Sequence, residues 1–159
     1  MFYRALKKSV GIFFNILNLL LKGNLPPFGC VCIVVEQDGH YLIVERPEGS
    51  LVFPGGFMRW KELSEQTAQR EGKEETGLDL RIGNIIGCYT TPSHSFTAMS
   101  TITIVHRAEV IGGELHSSIE GRPYWIDEET LRSRLEGHYS ITLDEYVQRG
   151  KQGQATNVS

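Results

Sequence analysis

The sequence predicts an α/β fold of the α+β kind, a mixed sheet with helices, preceded by an extra hydrophobic helix. Three observations carry this. Short apolar runs rich in β-branched residues, bounded by turn residues, recur between Cys30 and Ile126. A turn at Pro54-Gly55-Gly56 leads into a helical stretch that closes at Gly77. Residues 1–22 form an apolar segment of their own. At 159 residues the chain is long enough for one domain with a real core. Its net charge of −3 offers no basis for binding a nucleic-acid polymer. An anionic substrate must therefore be met by local charge rather than by a global field.

Arg4, Lys7 and Lys8 precede the run Val10 to Leu21, which only Gly11, Asn15 and Asn18 interrupt. This imitates the basic and apolar regions of a signal peptide. No small-residue cleavage site follows, and the run falls short of the ~20 apolar residues that span a bilayer. Three readings stay open: a helix packed on the domain or on a second copy in a homodimer, an interfacial membrane helix, or an uncleaved anchor or signal. On a helix, Leu6, Val10, Phe13, Leu17 and Leu20 form one stripe, and it needs a cover of protein or lipid. Gly23 and Pro26-Pro27 end the segment. The domain then spans 24–149, followed by a polar tail at 150–159.

Cys30 to Glu36 and His40 to Glu45 read as strands joined in a hairpin at Asp38-Gly39. Cys30 and Cys32 face one side of a strand at a spacing unlike zinc sites. With Cys88 they are expected as reduced, mostly buried thiols, consistent with a cytoplasmic protein, peripheral at a membrane if residues 1–22 lie on one. Leu51 to Phe53 is a short strand. Leu80 to Tyr89 and Thr97 to Val110 are longer ones, and Ile111 to Glu114 reads as a turn. Tyr124 to Ile126 is a strand before a helix at Glu128 to Leu135, with a further helix at Thr142 to Gln148.

The stretch from Pro54 to Leu78 is the most informative. Ser64 suits the N-cap of its helix and Glu65 the positive end of the dipole. Glu71, Glu74 and Glu75 crowd the last turn, three and four residues apart. Each like-charge pair at such spacing costs ~0.2–0.5 kcal/mol, and the negative dipole end adds ~0.3–1 kcal/mol. Arg70 offsets part of this. A hard divalent cation would turn the repulsion into ligation. The alternative for an acidic helix end is a solvated charged face.

Gly56, Glu62, Arg70, Glu71, Glu74, Glu75, Gly77 and Leu78 fall at the spacing G-x5-E-x7-R-E-U-x-E-E-x-G-U, with U aliphatic. This resembles the Nudix box. Gly72 is the one departure, standing where the family usually has an aliphatic residue. The resemblance covers about Phe28 to Gln148 and implies the Nudix α/β/α sandwich.

It further implies a metal-dependent hydrolase that cleaves the pyrophosphate of a nucleoside diphosphate linked to another group, using Mg²⁺ or Mn²⁺. Glu71, Glu75 and Glu74 are the implied metal ligands, together with the Gly55 carbonyl. Arg70 and Glu62 orient these acids. The general base stays open between a box glutamate, Glu71 or Glu74, and a loop acid, Glu120. Arg46, at the end of its strand, and Gly56 match substrate-contacting positions, and His94 lies in a polar loop where it could meet substrate. Pro92 lies 14 residues past Leu78, near the place of a proline in ADP-ribose-cleaving relatives. Ser93-His94-Ser95 lacks their neighbouring acid. The expected substrate is ADP-ribose or a nucleotide sugar, ahead of nucleoside triphosphates. The alternative is a Nudix-fold module that binds a nucleotide without cleaving it.

Overall fold

The computed structural model describes the backbone of residues 2–155 and the side chains of residues 8–148. In chain order it runs α1 (Phe2–Leu20), β1 (Phe28–Gln37), β2 (His40–Glu45), β3 (Leu51–Val52), β4 (Gly55–Phe57), α2 (Ser64–Thr76), β5 (Leu78–Thr91), β6 (Thr101–Gly113), β7 (Arg122–Asp127), α3 (Glu128–Arg134) and α4 (His138–Ala155).

β1 organises the mixed sheet. Its first residues lie between β4, antiparallel, and β6, parallel, and its last two pair with the start of β2 across the expected hairpin. β2 then leaves β1 and pairs with β3 and β7, while β6 pairs with β5. A strand at such a junction is covered on both faces, which is why β1 is continuously apolar. Alternate residues point opposite ways. Cys32 and Val34 join Phe53, Leu131, Leu143 and Tyr146 on the α3–α4 side. Val31, Ile33 and Val35 join Ala68, Leu78 and Leu80 on the α2 side. The expected α/β/α arrangement is therefore present.

Several local expectations change. Pro54-Gly55-Gly56 leads directly into a strand, with Gly55 opposite Cys32 and Gly56 opposite Val31. Residues 111–113 are no turn: β6 continues through them, and Gly113 faces Leu78. Conversely, β6 starts at Thr101 rather than Thr97. α4 is longer than expected at both ends, and its added first turn packs Tyr139 against the core. Cys88 is exposed, not buried, although all three thiols are free.

Ser64 is not the cap of α2. Leu63 occupies that place, and its N–H is taken by Gln66 Oε1 at 2.9 Å. The Ser64 hydroxyl is drawn sideways to His106 Nε2, 3.0 Å away. The other end is as expected: Gly77 is left-handed at φ 79° and its N–H reaches Lys73 O. α1 also docks differently from its apolar stripe. Phe13 and Leu20 of that stripe are exposed, the Leu6 side chain lies outside the described residues, and the helix meets the domain through Gly11, Phe14 and Asn15.

The structure accounts for Gly72. A Cβ there would sit 2.5 Å from Leu80 Cδ1 and 3.4 Å from Ile33 Cδ1. The missing side chain lets α2 lie close on the sheet, with buried Ala68 one turn earlier. Overpacking such a contact costs ~1–3 kcal/mol. Gly72→Leu is therefore expected to destabilise by that amount in denaturant melts. Gly72→Ala is expected to gain less than the ~1 kcal/mol that alanine offers an open helix position, and a full gain would contradict the close packing.

Candidate active site

Four segments meet at the end of α2. The helix contributes Arg70, Glu71, Glu74 and Glu75. β4 passes beside it, the residue after β2 is Arg46, and the loop before β7 holds Glu120. Arg46, Arg70, Glu71, Glu74 and Glu120 line a cleft of about 390 Å³ with Gly55, Gly56, Phe57, Met58 and Arg59, and Glu75 is buried beneath it, bonded to the Gly55 N–H and paired with Arg46. Nearly every site residue expected from the sequence is thus brought together, although Arg46 and Glu120 are 74 residues apart.

The acids are ordered by two arginines. Arg70 lies behind the helix end and grips Glu62 with two bonds, Nε to Oε1 and Nη2 to Oε2, both 2.8 Å. Its Nη1 donates to Glu71 Oε1 at 2.6 Å and to Glu74 Oε2 at 3.3 Å. The planar guanidinium can serve three carboxylates at once because its donors form a rigid fork. Glu62 is further held by the Arg59 N–H and the Thr67 hydroxyl. Arg70 and these donors keep its carboxyl well below the usual range. Gly56 leaves room for the Glu71 carboxylate, which a Cβ here would meet at 2.6 Å and push aside.

The second arginine is Arg46. Its Nη1 donates to Glu120 Oε2 at 2.7 Å, and its Nη2 lies 3.0 Å from Glu75 Oε1. Glu75 is only 2% exposed. Its Oε2 accepts the Gly55 N–H at 2.9 Å. Its Oε1, despite the nearby arginine, makes no hydrogen bond. Burial is the largest influence and lifts the Glu75 carboxyl from 4.5 to about 7, against the pull of Arg46 and the Gly55 N–H. Burial also pushes the Cys30 thiol up to about 11, helped by Glu71.

The donor set suits a hard cation. Glu71, Glu74 and Glu75 offer oxygens, and the buried Glu75 Oε1, ion-paired with Arg46 but without a hydrogen bond, keeps capacity for a ligated cation. Among the described residues no three acidic, histidine or cysteine side chains are yet gathered as a cage. The pairs Arg70–Glu71 and Arg46–Glu75 explain this, since each arginine occupies one carboxylate.

His94 is not brought to the cleft. It is exposed in the loop between β5 and β6, where the neighbouring Ser93 and Ser95 face α1. Other residues escaped sequence reasoning. Arg59 bonds Glu74 at 3.2 Å across the cleft mouth. Phe53, Phe57, Thr103, His138 and Tyr139 line a pocket of about 180 Å³ that shares Gly55 and Gly56 with the cleft. Arg59 could have been noticed as a cation inside the glycine loop. His138 and Tyr139 carry no local signal, because only the course of α4 places them there.

The Glu75 shift has a definite sign. Unfolded, this group loses its proton near 4.5, whereas the native protein keeps it to about 7. Between these values the native state binds more protons, so this group lowers stability as pH rises through the window. In metal-free buffer the difference in melting temperature between Glu75→Gln and the parent should therefore shift in favour of the variant from pH 4.5 to 7. Parallel profiles for the two proteins would contradict the assignment.

Comparison with known proteins agrees with this architecture. An ADP-ribose pyrophosphatase of Methanocaldococcus jannaschii is 33% identical over 102 residues, 62% of this chain and 60% of that protein. The match thus spans less than two thirds of that relative's length. A MutT-like protein of Streptomyces ambofaciens is 28% identical over 123 residues, 74% of this chain and 77% of that protein. A NUDIX hydrolase from Nitrosomonas europaea shares the fold, with a TM-score of 0.69 at 24% identity over 77% of this chain and 90% of that one. So does a UDP-X diphosphatase, with a TM-score of 0.67 at 17% identity over 84% of this chain and 70% of that one. The family model for the NUDIX domain matches residues 26–145, which takes in every strand of the sheet and the whole carboxylate helix, and on that ground the chain belongs to the Nudix hydrolase family.

Proposed function

We propose that this protein hydrolyses the pyrophosphate linkage of a nucleoside diphosphate joined to a second group, with Mg²⁺ or Mn²⁺ held by Glu71, Glu74, Glu75 and the Gly55 carbonyl. The observation that carries this is the set of carboxylates at one place: Glu71 and Glu74 lining the cleft, and the buried Glu75, whose Oε1 makes no hydrogen bond, held by two cleft residues, Gly55 and Arg46. When bound, a divalent ion neutralises phosphate charge and acidifies water.

The chain's own residues do the rest. Arg70 and Glu62 hold Glu71 and Glu74 in place. Arg46 presents positive charge at the cleft wall, where a phosphate can replace one of its carboxylate partners. Water adds to one phosphorus, the bridging P–O bond breaks, and two phosphate esters leave. The proton of the attacking water goes to a carboxylate of the cleft, with Glu71 or Glu74 of α2 and Glu120 of the loop before β7 the candidates. Phe57, His138 and Tyr139 offer flat faces for a nucleoside beside the carboxylates, over the buried Phe53. The substrate order is ADP-ribose or a nucleotide sugar, then nucleoside triphosphates, and the name of the archaeal relative supports the first.

A second reading, a nucleotide-binding module without turnover, draws on the arginine pairs at Glu71 and Glu75 and on there being no gathered group of three acidic, histidine or cysteine side chains among the described residues. The two part in one assay of ADP-ribose, nucleotide sugars and nucleoside triphosphates with Mg²⁺ or Mn²⁺. Hydrolysis of at least one of these that stops with chelator is expected. Glu71→Gln and Glu75→Gln should each lose ~100-fold or more in kcat, on the scale of a lost electrostatic stabiliser, while remaining folded. Saturable binding with no product would favour the second reading. Activity of Glu75→Gln within ~3-fold of the parent, under half a decade of rate, would remove Glu75 from the ligand set.

A further inference from the structure

α1 is attached to the domain by asparagine hydrogen bonds, a close glycine contact and one aromatic pair, and it turns several large apolar residues outward. Asn15 Nδ2 donates to the carbonyls of Phe96 at 3.0 Å and Ala98 at 2.8 Å. Asn18 Oδ1 accepts the Leu25 N–H at 3.1 Å. Gly11 is buried so tightly that a Cβ would lie 2.3 Å from the Thr97 carbonyl oxygen. Phe14 meets Phe28 edge to face, with ring centres 4.6 Å apart.

These contacts set the rotation of the helix. Residues 12, 16, 19 and 20 then share the far side, as the helical repeat requires. Ile12 is 39% exposed, Ile16 46%, Leu19 72% and Leu20 74%. Phe13 and Leu21 flank them and are exposed too, and Phe96, on the loop that Asn15 grips, is 60% exposed. Such a continuous apolar surface marks an interaction site.

Charge selects the occupant. Residues 1–22 contain Arg4, Lys7, Lys8 and Lys22, and no acid precedes Glu36, although the chain as a whole carries −3. A second copy would bring the same basic segments together, whereas an anionic lipid surface meets both the charge and the apolar side chains. Among the described residues no helix is long and apolar enough to cross a membrane.

We propose that α1 lies in the interface of an anionic bilayer, with Ile12, Ile16, Leu19 and Leu20 in the acyl boundary. The helix holds the catalytic domain at the membrane surface, and the asparagine contacts keep its apolar side turned toward the lipid.

Flotation of the full-length protein with phosphatidylglycerol-rich or pure phosphatidylcholine vesicles tests this. Binding to the anionic vesicles is expected, at least ~10-fold weaker on the neutral ones and weaker again in high salt. The double variant Ile16→Ser, Leu19→Ser should lose ~10-fold or more of the anionic binding. Its melting temperature should match the parent's, because both side chains are exposed. No flotation, or equal flotation with both lipids, overturns the proposal. So does a dimer in light scattering that the double variant dissolves, since the apolar side would then be covered by a second copy.

Discussion

A single buried carboxylate governs the architecture of this site. Glu75 sits almost wholly out of water, with one oxygen satisfied by the Gly55 N–H and the other facing Arg46 without a hydrogen bond. A lone buried charge is costly unless paired or ligated. The fold meets that requirement only partly, and the remainder appears as a carboxyl that holds its proton to about 7. The surroundings serve that residue: β4 brings a backbone donor, the end of β2 brings the arginine, and the close packing at Gly72 presses α2 onto the sheet so that Glu75 points inward.

The sheet makes these meetings possible. Because β1 pairs first with β4 and β6 and later with β2, the two halves of the sheet diverge from it. The carboxylate helix covers one face, and α3 and α4 cover the other. The cleft and the aromatic pocket share Gly55 and Gly56, so a molecule with an anionic middle and a flat end could occupy both. Two arginines with different partners separate the duties of the acids. Both line the cleft, but Arg70 is braced by Glu62, Glu71 and Glu74, whereas Arg46 pairs with Glu75 and Glu120.

Much of this was legible in the sequence because it is local. The carboxylate cluster, its arginine and the closing Gly77 follow from helical spacing, and the hairpin follows from Asp38-Gly39 between apolar runs. The strand at Gly55–Phe57 was not legible, because two glycines give no strand signal and only pairing with β1 makes one. Ser64 failed as a cap because His106, 42 residues away, competes for its hydroxyl. The polar loop of His94 suggested a place where it could meet substrate, but the structure sets that loop beside α1, away from the cleft residues. The pairing of Arg46 with Glu120 and the aromatic wall from α4 depend on the course of distant segments. For α1, counting apolar positions gave a stripe that needs a cover of protein or lipid, whereas the contacts of Asn15, Gly11 and Phe14 set which side faces the domain.

If Glu75 is a metal ligand that is protonated near neutral pH, ion binding must expel its proton. Calorimetric titration with Mn²⁺ in buffers of different ionisation enthalpy measures that proton directly. The parent should release about one proton per ion near pH 6 and almost none near pH 8.5, and Glu75→Gln should release none at either. Proton release that is independent of pH, or that survives Glu75→Gln, would contradict the account.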